Sequence, residues 1–132
     1  MNTIIIKIGA SSNYFGAYAK NCDGIYGAGA TADEAKQNAL EGLKLFVENN
    51  PKETLPEILQ GEYQIEYEYD TRSFMNNYNR FLTNVALQRL TGINQKLLHH
   101  YSTGLKKPRA TQRQRMEKAI HNFGRELLSV KL

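Results

Sequence analysis

At 132 residues, with 41% hydrophobic and 23% charged positions, the chain has the length of one domain or two small ones and a globular composition, which excludes a disordered chain. The formal net charge of +4 hides an asymmetry: residues 1–70 carry five Lys against eleven Asp/Glu, a balance of −6, and residues 71–132 carry twelve Lys/Arg against two Glu, a balance of +10. The apolar patch Ile4, Ile5, Ile6 and Ile8, broken by Lys7, is too short for a signal peptide or a membrane span, and the single Cys22 has no internal disulfide partner, so the expectation is a cytoplasmic chain with no membrane partner.

Alternation of Ile4, Ile6 and Ile8 in "TIIIKI" predicts a first strand, and "YFGAYA" (14–19) predicts a second after the "ASSN" turn. The Asp-Gly signal in "NCDG" (21–24) predicts a hairpin into a third strand, "IYGAGA" (25–30), whose small residues leave room for close packing above it. Thr31 with Glu34 three residues on reads as a capping box, with Asp33 and Glu34 at the positive end of the helix dipole. Ala32, Ala35, Ala39, Leu43, Phe46 and Val47 then recur at helical spacing, and Asn49, Asn50 and Pro51 end the helix.

A linker-like "PKETLPEILQG" leads to "EYQIEYEYD" (62–70), a period-2 strand. Tyr63, Ile65, Tyr67 and Tyr69 share an apolar face; Glu62, Gln64, Glu66, Glu68 and Asp70 share a wet one. That acidic face reads either as a solvated edge, which charge protects from aggregation, or as a docking surface for a basic partner. From Thr71 the pattern is all-helical: "RSFMNNYNRF", "TNVALQRLT", "NQKLLHHYS" and "ATQRQRMEKAIHNFGRELLSV". Pattern and charge switch together, so the expected division is 1–70 and 71–132. Between Asp70 and Glu117 nine Lys/Arg fall with no carboxylate. This reads as a polyanion-binding half, as a solvated basic face, or as a basic half docked on its acidic neighbour.

The residues offer no catalytic or metal constellation. His99 and His100 are adjacent, so on a helix they point about 100° apart and do not chelate one ion together. No H-x-x-x-H spacing, nucleophile elbow, Walker loop or dinucleotide fingerprint occurs, and Asp33 and Glu34 disfavour a phosphate at the "GAGATADEA" turn. The expectation is therefore no enzyme, no metal and no cofactor.

The helical half carries a helix-turn-helix pattern. A helix near Asn84–Leu90 ends at Gly92, suited to a left-handed backbone; Ile93 plugs the corner; Asn94 caps a second helix that starts at Gln95. Leu98 and Tyr101 face inward, leaving Asn94, Gln95, Lys96, His99 and His100 as candidate base- or phosphate-reading residues, since polar side chains at the start of a recognition helix meet base edges. Gly104 closes that helix, and Lys106, Lys107 and Arg109 beside Pro108 are candidate phosphate contacts. The stretch from Leu87 to Gly124 resembles the Cro/C1-type helix-turn-helix of repressors, a match that spans roughly residues 73 to 127; Gln88 departs from the small residue favoured there, and the first helix, around Arg72 to Arg80, is short and rich in Asn.

Upstream, "GIYGAGATADEAKQNALEGLKLFVEN" resembles the HicB-like antitoxins of type II toxin–antitoxin systems through Gly24, Gly29, Thr31, Glu34, Ala35, Ala39, Leu43 and Val47, with Asp23-Gly24 where Pro-Gly is usual. The resemblance implies an α+β chain: a partial ribonuclease-H-like β-β-β-α-β domain followed by an all-helical DNA-binding domain. It implies an antitoxin that neutralises a small basic mRNA-cleaving toxin and represses its own operon through double-stranded operator DNA, as a homodimer or larger homo-oligomer. Glu62, Glu66 and Glu68 are the expected toxin-binding residues. The alternative is a free-standing helix-turn-helix repressor whose N-terminal half binds a ligand or dimerises.

Overall fold

The computed structural model describes residues 1–132 as a mixed α+β chain with one four-stranded sheet and five helices. Its backbone divides into two compact units, Met1–Asn77 and Tyr78–Leu132.

In the first unit, β1 (Asn2–Ala10), β2 (Phe15–Ala19) and β3 (Tyr26–Gly29) form an antiparallel meander, and β4 (Tyr63–Tyr69) adds parallel to β1. The strand order is β3-β2-β1-β4. Helix α1 (Ala32–Glu48) begins where Thr31 Oγ1 accepts the Glu34 N–H at 3.1 Å, and covers one face of the sheet. Ile4, Ile6 and Ile8 are fully buried with Ala17, Ala35, Ala39 and Leu43, while Phe46 and Val47 close the margin. Each buried Ile side chain contributes about 1.5–3 kcal/mol.

Close approach of α1 to β3 depends on Gly27. A Cβ there would stand 2.3 Å from the Ala39 backbone N and 2.7 Å from the Ala35 O. The hairpin between β2 and β3 turns through Gly24, whose φ of +89° is left-handed.

Two expectations need adjustment here. The apolar side of β4 is only half covered, and Tyr67 is 39% exposed, because β4 is an edge strand while α1 lies over the other three. Lys36 Nζ instead sits 4.4 Å from the Tyr67 ring centroid, a cation on an aromatic face. The stretch 51–61 is more than a linker: it forms two short 3₁₀ turns, Lys52–Thr54 and Glu57–Leu59, that bury Leu55 and Leu59 in the sheet's core.

Helix α2 (Thr71–Tyr78) falls almost wholly in the first unit, so the division lies at 77/78 rather than at 70/71. Polar contacts explain this. Asp70 Oδ1 accepts the Ser73 N–H at 2.7 Å and Oδ2 accepts the Ala10 N–H at 2.8 Å, tying the start of α2 to the end of β1. Asn76 Oδ1 accepts the Ala32 N–H, Asn77 Nδ2 donates to the Tyr69 hydroxyl, and the Tyr69 and Phe74 rings meet edge to face.

The second unit holds α3 (Asn84–Thr91), α4 (Gln95–Thr103) and α5 (Ala110–Leu128). Leu87, Ile93, Leu98, Tyr101 and Met116 are its buried apolar residues. No helix of the chain is long and apolar enough to cross a membrane.

Candidate nucleic-acid interface

The α3–α4 corner is built from short-range chemistry. Thr83 Oγ1 accepts the Ala86 N–H and starts α3, and Gly92 ends it at φ +75°, donating its N–H to the Gln88 carbonyl at 2.7 Å. The buried Thr91 hydroxyl donates to the Leu87 carbonyl at 2.6 Å and accepts the Ile93 N–H at 3.1 Å, which turns the buried Ile93 into the corner. Asn94 Oδ1 then accepts the Lys96 N–H at 2.8 Å, and Gln88 Oε1 accepts the Gln95 N–H at 2.7 Å. Two side chains therefore satisfy two of the free N–H groups at the start of α4, one from each side of the corner.

With Leu98 and Tyr101 buried, α4 presents Gln95, Lys96 and His99 to solvent; Asn94 is exposed too, its side-chain carbonyl engaged as the cap. His100 differs: it is half-buried, and its Nδ1 is enclosed without a hydrogen-bond partner, so it is set back from the outward group. Gly104 closes α4 at φ +82°, and the Lys106 N–H returns to the His100 carbonyl at 3.2 Å. This reversal places Lys106, Lys107 and Arg109, all exposed, directly after the helix, while Pro108 is buried and its carbonyl accepts from Arg113 Nη1 at 3.0 Å.

None of the twelve Lys/Arg beyond residue 70 is paired with a carboxylate; the single ion pair of this half is His121 with Glu117 at 4.0 Å. Unpaired cations keep their full charge for a polyanion. Sequence inspection missed Arg115, distant from Gly92 in sequence but close in space: a Cβ at Gly92 would stand 2.7 Å from Arg115 Nη2, so the guanidinium lies over the turn that precedes α4. It also missed Gln88, a departure from the expected small residue that serves as the second clamp on α4. Neither long-range partnership has a sequence spacing that announces it.

The other candidate group lies on the first unit. Glu62, Glu66 and Glu68 are exposed at and along β4, on the sheet face away from α1. Glu66 and Glu62 have no cationic partner, whereas Glu68 pairs with Lys20 at 3.0 Å. Register sets Glu68, Lys7, Tyr18 and Tyr26 side by side across the four strands. Tyr18 and Tyr26 are about half exposed, so the acidic edge continues into an open aromatic surface. No three His, Cys, Asp or Glu side chains gather as a metal site.

No family model, no curated protein and no solved structure matches the chain.

Proposed function

We propose that this chain is a HicB-like antitoxin that binds operator DNA with its C-terminal unit and captures a small basic mRNA-cleaving toxin with its acidic N-terminal unit. The observation that carries the proposal is the α3–α4 corner. A left-handed glycine, a buried Ile93 and a doubly clamped helix start turn Gln95, Lys96 and His99 outward, with unpaired cations following the helix. A helix entering the major groove uses such side chains at its N-terminal end to read base edges: Gln is suited to adenine and Lys to guanine. Lys106, Lys107, Arg109 and Arg115 supply phosphate contacts that set affinity and salt dependence.

Support for the toxin-binding half is of a different kind. The β-β-β-α-β order is the one the ribonuclease-H-like resemblance implies. Its sheet leaves one face without a helix, bordered by Glu62, Glu66 and Glu68 and carrying Tyr18 and Tyr26. Tyr is favoured in protein interfaces, and acidic side chains steer a basic partner. In this proposal the role of that unit is to bind the toxin.

The test uses the product of the reading frame next to this chain's own, purified alone; the proposal expects it to be small and basic. Its cleavage of a messenger RNA should stop at one equivalent of this chain and continue when Glu62, Glu66 and Glu68 are all changed to Lys. Undiminished cleavage beside the wild-type chain would contradict the antitoxin reading and favour a free-standing repressor.

A further inference from the structure

On the sheet face opposite α1, β2 carries a glycine that the chain's own packing does not require. Ile6, Ile8 and Ala17 are buried under α1, so Gly9 and Gly16, paired across β1 and β2, face the other way. Gly16 has no positive φ. A Cβ there would meet only ring atoms at ordinary contact distance, Tyr26 Cε2 and Oη at 3.9 Å and Tyr14 Cε2 at 4.0 Å. Glycine costs a strand about 0.5–1 kcal/mol, and in a strand interior it often marks a place where a ligand comes close.

Around Gly16 the face forms a shallow slot. The Tyr14 and Tyr26 rings reach the same point above β2, and both side chains are about half exposed. Tyr18, equally open, pairs with Tyr26 across the next strand. At the other end, Asp70 Oδ2 lies 3.3 Å from where a Cβ of Gly9 would stand. Each Asp70 oxygen accepts one backbone N–H, from Ser73 and from Ala10, and the carboxylate has no cationic partner. An ionised carboxylate offers about four acceptor sites, so Asp70 keeps capacity for a ligand's donors.

We infer that this slot takes an arginine side chain of a basic protein partner, its guanidinium stacked against Tyr14 and Tyr26 over Gly16 and directed at Asp70. The inference rests on the proposal that the first unit captures a basic toxin, and it names the contact. Charge selects the occupant: on this face Glu62, Glu66, Glu68 and Asp70 outnumber Lys7 and Lys20, and Lys20 is already paired with Glu68. Single-stranded RNA also stacks its bases on tyrosine, but its phosphates would meet this negative field. Arginine suits the slot better than lysine. Its flat cation stacks on aromatic rings, and its fork of N–H groups matches a carboxylate.

The experiment measures binding of fluorescein-labelled hexa-arginine and hexa-lysine to the full-length chain by anisotropy, for the wild type and for Gly16→Val, which fills the slot. The wild type should bind hexa-arginine about tenfold more tightly than hexa-lysine, within the range of a cation–aromatic contact. That preference should vanish in Gly16→Val. Should this variant fail to fold, Tyr26→Ala, which removes one exposed wall, should give the same loss. Equal binding of the two peptides by the wild type, or a preference that the variants keep, overturns the slot. Oligouridylate bound more tightly than hexa-arginine, and lost in Gly16→Val, overturns it in favour of RNA bases. The product of the adjacent reading frame separates this contact from the antitoxin reading. Its capture should weaken at least about 30-fold in Gly16→Val, as expected for a central contact. Equal capture by wild type and variant overturns the slot alone. No capture by the wild type overturns the antitoxin reading, and the peptide preference still decides the slot.

Discussion

The Gln88 side chain accepts the Gln95 backbone N–H at 2.7 Å, so a residue on α3 fixes the first residue of α4. This contact spans the turn that sets the angle between the two helices, and Gln95 is the first outward side chain of the proposed recognition helix. Replacing Gln88 by Ala removes a hydrogen bond worth about 1 kcal/mol and leaves one of the helix's starting N–H groups to water. The expected outcome is a small loss in unfolding free energy and a larger proportional loss in operator affinity than in non-specific DNA affinity, measured by titration of both duplexes.

Gly27 should be intolerant of any side chain. Its Cβ would fall 2.3 Å from the Ala39 backbone N, and backbone cannot yield as a side-chain tip does. Gly27→Ala should therefore destabilise the first unit by about 3 kcal/mol, read as a lower urea midpoint. A change below about 0.5 kcal/mol, the range of ordinary surface substitutions, would contradict the close seating of α1 on β3.

Two groups of side chains should separate by their salt response. Gln95→Ala with Lys96→Ala should cost specificity, about 1–3 kcal/mol per lost base contact. Lys106, Lys107 and Arg109 changed to Ala should weaken binding to all duplexes alike and flatten the slope of log affinity against log salt by about one per residue.

The Cys22 thiol sits at the β2–β3 turn, 6% exposed, and burial first and the Asp23 carboxylate second push its pKa above the ordinary value. Because the thiolate is the reactive form, a raised pKa leaves less of it at pH 8. Modification by a disulfide reagent at that pH should be slower in the native chain than in the urea-unfolded chain. Equal rates would contradict the burial.

Local pattern carried most of the fold into the sequence. Ile4-Ile6-Ile8 announced β1, Thr31–Glu34 announced the start of α1, and Gly92, Asn94 and Gly104 announced the limits of α3 and α4 to within a residue or so. What stayed hidden depended on neighbours distant in sequence. The half-exposed state of Tyr67 follows from β4 pairing outside β1, a parallel register that alternation alone does not reveal. The attachment of α2 to the sheet follows from Asp70, Asn76 and Asn77, polar residues whose partners lie on β1, β4 and the start of α1. At the candidate interface, exposure of Gln95, Lys96 and His99 followed from Leu98 and Tyr101 turning inward. The set-back of His100 and the reach of Arg115 to the turn did not, because both come from how α4 and α5 are placed.

The central claim is that α4 reads DNA. Fluorescence anisotropy of the full-length chain with a labelled duplex from immediately upstream of its own coding sequence, against a scrambled duplex of the same composition, tests it most directly. The account predicts binding to the upstream duplex tighter by about 10³ or more, with most of that preference lost in the Gln95→Ala, Lys96→Ala double variant. Equal affinity for the two duplexes, or a preference untouched by the double variant, would contradict it.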